Sequence, residues 1–256
     1  SKINISTSGS STEERNLVLT AKVIFENLEF GKIGHVYADG YDLRVEDTVS
    51  AASNTEVYLY GAGRQDIPNG AGSIYVAGGR YIRIAGYIRS GNLSALPEGK
   101  NRAEITVTGN AYAATVLAGC ASGPILNANA TINVEGNGKV DTLIGGNQGF
   151  NDGNAAFTGN TAINIRGGTV TNVYGAGSGR GVSLPTYKGS LDINVEGGNV
   201  TNIYGSGAAA YVISPEKDTP SQVNISVSGG TVGNIYAAGL GGSREVSQYT
   251  PSGTSP

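Results

Sequence analysis

The sequence predicts an all-β fold, a single-domain parallel β-helix (a solenoid) of about eight coils with roughly 30-residue repeats. The stretch GGNVTNIYGSG at 197–207 has near-copies, GGTVTNVYGAG at 167–177 and GGTVGNIYAAG at 229–239. An apolar-polar-apolar triplet precedes each copy, and successive triplets along the chain begin 27 to 32 residues apart. Self-similarity at such a period is typical of solenoids, propellers and other repeat architectures.

Each repeat is predicted to contain short strands. The triplets begin at Leu43, Ile74, Ile105, Ile132, Ile163, Ile193 and Ile225. Their alternation, broken by Gly, Asn and Ser, is a strand pattern, and the helical heptads and caps of helical repeat proteins are missing. Because a propeller blade needs four strands in about 40 to 45 residues, units of this length fit stacked coils better.

The repeats divide the chain into three parts. The parallel β-helix is expected to occupy residues 23–242, beginning with a degraded unit that contains VIF at 23–25. Residues 1–22 are expected to form a leading strand and an N-terminal cap, and residues 243–256 a flexible C-terminal tail or linker.

Alignment of the repeats predicts the direction of each side chain. The Ile203 position is aliphatic in every unit, with Leu117 assigned to it, and is therefore expected to point into the coil. Strand alternation then directs the next position outward, Ala118 in that coil and tyrosine in the last three. One residue before the inward position, the last three coils carry Asn172, Asn202 and Asn234, which are expected to form a structural side-chain ladder.

Composition narrows the function and location. The chain has 14% charged residues, a formal net charge of −3 and no basic run. Nucleic acid is therefore not an expected partner, because phosphate binding needs clustered Lys and Arg. The single cysteine, Cys120, excludes an internal disulfide framework and is expected to be a buried thiol. No apolar run approaches the ~20 residues of a membrane span, and absence of methionine suggests a removed leader or a place inside a longer chain with further domains.

The coil pattern resembles the right-handed parallel β-helix of pectate-lyase-like and adhesin-like bacterial surface proteins. The resemblance covers roughly residues 23–240 and concerns architecture, since no motif of an enzyme family accompanies it. It implies an extracellular or cell-surface location and a domain that binds or displays.

The outward tyrosines Tyr174, Tyr204 and Tyr236 form the main candidate binding surface. An exposed aromatic strip would let the sugar rings of a polysaccharide or cell-surface glycan lie flat over it. Tyr187 and Tyr211, in the variable segments between repeats, are further candidates. The alternative is that the rings only stabilise the coil or are covered, and the rod serves as a rigid spacer.

A glycan-active enzyme on the same fold, a polysaccharide lyase or a glycoside hydrolase, is the competing hypothesis. His35, Asp39 and Asp42 form the densest titratable group and are the candidate catalytic residues. Asn151, Asp152 and Asn154, within NQGFNDGN at 147–154, have some features of a calcium loop but lack the terminal glutamate of an EF-hand. The sequence predicts non-catalytic binding without a cofactor, calcium being the one metal considered.

Overall fold

The computed structural model describes residues 3–5, 16–31, 33–51, 56–63, 70–88, 91–92, 96, 100–120, 123–149, 155–179, 185–212 and 221–239. The predicted tail at 243–256 lies outside these residues. The strands in chain order are β1 (Ile3–Ile5), β2 (Asn16–Val18), β3 (Val23–Phe25), β4 (Leu28–Phe30), β5 (His35–Tyr37), β6 (Leu43–Val45), β7 (Ser50–Ala51), β8 (Tyr58–Tyr60), β9 (Ser73–Val76), β10 (Arg80–Ala85), β11 (Gly91–Asn92), β12 (Arg102–Val107), β13 (Tyr112–Leu117), β14 (Ile125–Leu126), β15 (Asn129–Val134), β16 (Lys139–Ile144), β17 (Asn147–Gln148), β18 (Ala156–Thr158), β19 (Thr161–Tyr174), β20 (Gly177–Ser178), β21 (Thr186–Lys188), β22 (Ser190–Tyr204), β23 (Tyr211–Val212), β24 (Gln222–Val227) and β25 (Thr231–Tyr236). Within the described part of the chain, no helix is long and apolar enough to cross a membrane.

The strands stack into faces of one rod. Face A consists of β2, β5, β8, β10, β13, β16, the C-terminal parts of β19 and β22, and β25; face B consists of β3, β6, β9, β12, β15, the N-terminal parts of β19 and β22, and β24. Face C, between the end of face A and the start of face B, consists of β11, β14, β18, β21 and β23. Neighbouring strands within each face run parallel, which confirms the parallel β-solenoid.

The coils are not all built alike. In the described residues face A has nine strands, face B eight and face C five, so the part with all three faces is shorter than the eight coils predicted. A separate three-stranded sheet, formed by β1, β4 and β7, lies near the N-terminus. We call it the N-terminal sheet.

The core lies inside the coils and follows the predicted triplets. The apolar first positions of the triplets pair with one another from coil to coil, from Leu43 opposite Ile74 to Ile193 opposite Ile225. Ile193 and Ile203 are 0% exposed, as inward-pointing residues should be. Full burial of such a side chain stabilises the fold by about 1.5–3 kcal/mol, so the stacked columns are the main source of stability.

One predicted side-chain direction is wrong. Val116 pairs with Leu143 in the inward column, and Leu117 pairs with Ile144 in the outward one. A slip of one residue exchanges the two faces of a strand, and the run Val116–Leu117–Ala118 is apolar throughout, so the pattern could not fix the register. Leu117 is nevertheless buried, because a second apolar cluster forms outside the coil; its buried members are Tyr37, Tyr60, Ala85, Leu117 and Ile144.

Paired glycines turn the chain from face B to face A. In β19 a register irregularity follows Ile165, where Gly167 and Gly168 interrupt the ladder. Gly168 has φ +70°, and a Cβ there would lie 2.1 Å from the carbonyl oxygen of Gly138 in the preceding coil. Only glycine fits such a position, which explains why the repeated stretches begin with GG.

Candidate functional site

An open groove of about 430 Å³ lies on the outside of the rod, where the chain passes from face C to face B. Its lining residues come from four successive coils: Asn101, Arg102, Asn129, Ala130, Thr131, Asn160, Thr161, Ala162 and Asp192. Because coils stack at ~4.8 Å, three steps between four coils make the groove about 15 Å long, parallel to the rod axis. We call it the corner groove.

Asparagines at the corner build one wall of the groove. The side-chain oxygen Oδ1 of Asn129 accepts a hydrogen bond from the backbone N–H of Asn160, at 3.2 Å. Asn160 repeats the contact one coil further on, where its Oδ1 accepts from the backbone N–H of Ser190 at 3.0 Å. The fold thus uses the carbonyl half of each amide, and the Nδ2 halves of Asn129 and Asn160 have no protein partner within the described residues.

A small residue opens the groove between two polar ones. Thr131, Ala162 and Asp192 are paired neighbours in one outward column of face B, so the missing side-chain volume at Ala162 forms a notch. Arg102 Nη2 donates to Thr131 Oγ1 at 3.2 Å on one side of the notch. On the other side Asp192 Oδ1 accepts from Asn224 Nδ2 at 2.8 Å.

The groove is equipped for hydrogen bonding to a polar, extended ligand. Amide and guanidinium groups donate, and the Asp192 carboxylate accepts. Hydroxyl groups do both, so a polyhydroxylated chain matches this mixture. Asp192 is the one carboxylate among the lining residues described.

The predicted tyrosine strip points outward, but its rings stack on one another. The ring centroids of Tyr174 and Tyr204 lie 5.2 Å apart, and those of Tyr204 and Tyr236 lie 4.9 Å apart with planes only 6° from parallel. Each ring therefore covers the face of its neighbour and turns an edge to solvent. Burial, with a smaller contribution from Tyr204, raises the pKa of Tyr174 above its ordinary value.

This geometry does not favour sugar rings lying flat across the three tyrosines. Flat stacking needs an open ring face. The outer face of Tyr236, whose side chain is 47% exposed, is the place where the described strip offers one.

The other two candidate tyrosines differ in position. Tyr187 is 0% exposed inside the coil, where its ring stacks on Phe157 with centroids 5.2 Å apart. Its hydroxyl donates to the carbonyl oxygen of Ser190 at 2.9 Å, and burial raises its pKa. Tyr187 is therefore a core residue, which corrects its assignment to a ligand-binding loop. Tyr211 begins β23 opposite Thr186, and its side chain lies outside the described part of the structure.

The candidate catalytic residues His35, Asp39 and Asp42 occupy separate structural positions. His35 Nδ1 lies 3.1 Å from Asn16 Oδ1, and its ring packs 4.8 Å from that of Tyr58. Asp39 has φ +50° in a turn. Asp42 Oδ1 accepts from Ser73 Oγ at 2.7 Å and its other oxygen lies 3.9 Å from Lys22 Nζ.

A metal site is not visible in the described residues. They contain no group of three or more His, Cys, Asp or Glu side chains that could hold an ion. The candidate calcium ligands Asn151, Asp152 and Asn154 lie outside the residues that the structure describes.

The predicted asparagine ladder is confirmed. Asn202 Nδ2 donates to Asn172 Oδ1, and Asn234 Nδ2 donates to Asn202 Oδ1, each at 2.9 Å. Face B has a second ladder, in which Asn194 donates to Asn164 at 3.0 Å. These amides bond along the rod axis, so they stabilise the stack.

Sequence reasoning missed two polar features. Asn147 is 0% exposed, and its amide accepts from Cys120 N–H at 2.9 Å and donates to the carbonyl oxygens of Gly123 and Ala156. Cys120 is buried, as predicted. The corner groove was missed because isolated polar residues before a strand look like loop residues. The usable signal was the recurrence of asparagine three or four residues before a triplet, at Asn101, Asn129 and Asn160.

Comparisons with protein-family models, curated proteins and solved structures find no match to this chain.

Proposed function

We propose that this chain is a non-catalytic, extracellular β-solenoid domain that binds a carbohydrate polymer, and that the polymer lies along the corner groove. The supporting observation is the groove itself, with the side-chain amides of Asn129 and Asn160 at equivalent positions of two adjacent coils. The ~4.8 Å coil spacing is close to the length of one sugar unit, so successive units of a linear glycan would meet the amide donors of Asn129 and Asn160.

The binding chemistry follows from the wall and the notch. The Nδ2 groups of Asn129 and Asn160 donate to sugar hydroxyl or ring oxygens, while the Asp192 carboxylate accepts from hydroxyl groups. Ala162 provides room for the sugar ring between these contacts. Because the asparagine carbonyls are held by backbone N–H groups of the next coil, the donors are fixed before the ligand arrives, which lowers the entropic cost of binding.

The architecture supports a surface role of the adhesin-like kind. A rod of stacked coils holds a binding face at a distance from its attachment point, so display and spacing are properties of the same structure. The proposal includes a location outside the cell and the presence of further domains in the same longer chain.

Binding is tested by titrating the purified chain with a panel of neutral and acidic polysaccharides in affinity electrophoresis and calorimetry. The double variant N129D/N160D keeps both structural oxygens and replaces both amide donors. We expect affinity for a neutral polysaccharide to fall at least about fivefold, since each of the two lost hydrogen bonds costs roughly 0.5–1.5 kcal/mol.

The control variant is T171D/T201D, which adds the same two charges at exposed positions of face A on adjacent coils. Equal loss in both variants, or unchanged binding in N129D/N160D, would contradict the groove assignment. Release of new reducing ends or unsaturated products that disappears in Asp192→Asn would favour the glycan-active enzyme instead.

A further inference from the structure

Exposed apolar side chains concentrate at the two ends of the rod. Large hydrophobic residues that are exposed in the described structure are Val18, Ile24, Tyr41, Val227, Ile235 and Tyr236. All except Tyr41 belong to the first or the last coil.

The C-terminal end presents core positions without a covering coil in the described residues. Ile235 and Val227 are 50% and 46% exposed, whereas Ile203 and Val195, which occupy the same columns one coil earlier, are 0% exposed. Strands β24 and β25 each pair with β22 alone, so their outer backbone edges have no described partner strand. Such edges accept a further strand readily.

The N-terminal end has the complementary edges. Within the described strands, β2 pairs with β5 alone and β3 with β6 alone. The inward residues Leu17 and Val23 are partly exposed. Both ends therefore offer parallel strands of face A and face B to a coil that would continue the stack.

The residues at the two ends occupy the same columns. The face A register places Asn16, Leu17 and Val18 in the columns that end at Asn234, Ile235 and Tyr236. The face B register places Val23 and Phe25 in the columns that end at Ile225 and Val227.

We propose that the chain assembles head to tail with a second copy of itself, with β2 and β3 of one copy pairing with β25 and β24 of the next. Aliphatic and aromatic side chains would then continue the inward columns, and Val18 would cover the outer face of the Tyr236 ring. This contact joins different surfaces and leaves a free end on each copy, so it produces linear filaments. The inference does not rest on the proposed function, because the lining residues of the corner groove stop at β22, one coil before the strands that would form the contact.

The asparagine ladder gives the contact its direction. In each step the Nδ2 of an asparagine points to the coil before it, as Asn234 Nδ2 points to Asn202. Asn16 has the same sense, since its Oδ1 faces His35 in the following coil. In the assembly Asn16 would occupy the next position of this column after Asn234.

The test is sedimentation velocity over a hundredfold concentration range, with Ile235→Lys blocking the C-terminal end and Leu17→Lys blocking the N-terminal end. Wild-type chain is expected to form a concentration-dependent series of oligomers, and each variant to stay monomeric until roughly tenfold or higher concentrations, because the new charge would be buried unpaired. An equimolar mixture of the two variants is expected to stop at a heterodimer, since one intact end of each remains.

Three results would overturn the proposal. The first is a wild-type chain that stays monomeric, and the second is association that begins only after removal of residues 240–256. The third is a dimer that persists in Leu17→Lys, because that result would mean that two C-terminal ends pair with each other. Circular dichroism checks that the variants fold, and Val18→Lys, at a side chain 45% exposed, replaces Leu17→Lys if that variant does not. Polysaccharide binding by the monomeric variants separates failure of this proposal from failure of the groove assignment.

Discussion

The N-terminal and C-terminal coils both place tyrosine in the outward column of face A, but the rings are buried in the N-terminal coils and exposed in the last coil. Tyr37 and Tyr60 are 2% and 3% exposed, whereas Tyr236 is 47% exposed. Near the N-terminus, His35 packs against the column with ring centroids 5.9 Å from Tyr60, and the rings join the second apolar cluster. An outward direction is therefore set by the strand, but exposure is set by what covers the face.

The two regions also differ in how the chain passes from face B to face A. The N-terminal coils use the long connections 26–34 and 46–57, which contribute strands to the N-terminal sheet. The C-terminal coils use a glycine pair inside the single strands β19 and β22. The copies that reveal the repeat come from this second, regular region.

The largest expected difference is between buried and exposed tyrosines of one column. Tyr60→Ala is expected to lower the free energy of unfolding by about 3–5 kcal/mol, the cost of emptying a buried aromatic site. Tyr236→Ala is expected to cost less than about 1 kcal/mol, because half of its surface already faces water. Urea denaturation followed by circular dichroism measures both, and similar losses would refute the distinction between the regions.

The inward column offers the same comparison with one residue type. Ile203→Ala, at 0% exposure, is expected to cost about 2–5 kcal/mol, and Ile235→Ala, at 50%, less than about 1 kcal/mol. Thermal melts of the two variants check this at a concentration where sedimentation shows the chain to be monomeric, with backbone hydrogen exchange locating the loss. A large effect at Ile235 in the monomer would mean that another part of the same chain covers the last coil.

Buried and exposed asparagines are expected to differ in a similar way. Asn147→Ala leaves the Cys120 N–H and two carbonyl oxygens without the amide that satisfies them, at a cost of about 1–3 kcal/mol. Asn234→Ala removes one exposed ladder bond and is expected to cost under about 1 kcal/mol. The denaturation midpoints of the two variants decide; a neutral Asn147→Ala would contradict a structural role for this residue.

The buried tyrosine cluster predicts that alkaline pH lowers the stability of the fold, by less than the substitutions above. Burial raises the pKa of Tyr60 to about 12 from its ordinary value of 10.0, so the folded state favours the neutral phenol. Its contribution is complete below pH 10 and is lost as the pH rises through 12, and it should have fallen by about 1 kcal/mol at pH 11. Stability measured from pH 9 to 11 should therefore decline more in wild type than in Tyr60→Phe, and parallel curves would contradict the assignment.

The architecture could be predicted from the sequence because the repeats can be aligned with one another, which shows which positions stay apolar. Seven triplets gave the inward column of face B, and the structure pairs them as predicted from Leu43 to Ile225. The sequence was insufficient where neighbouring residues are all apolar, as at Leu117, and where burial depends on segments distant along the chain, as at Tyr187. The corner groove depends on the small side chain of Ala162 between the larger ones of Thr131 and Asp192 on neighbouring coils, which no single repeat reveals.

The central claim is that the polymer binds in the corner groove. The most direct test fills the groove in one variant while the tyrosine column stays intact, and in another variant removes tyrosines while the groove stays open. Ala162→Trp places an indole in the notch, and Thr171→Trp places one at an exposed position of face A. The double variant Tyr204→Ala/Tyr236→Ala removes two adjacent rings of the tyrosine column. Measured by calorimetry with the same polysaccharide, binding is predicted to be lost in Ala162→Trp and kept in the other two. Binding that survives in Ala162→Trp but disappears in the tyrosine variant would contradict the groove and restore the aromatic strip.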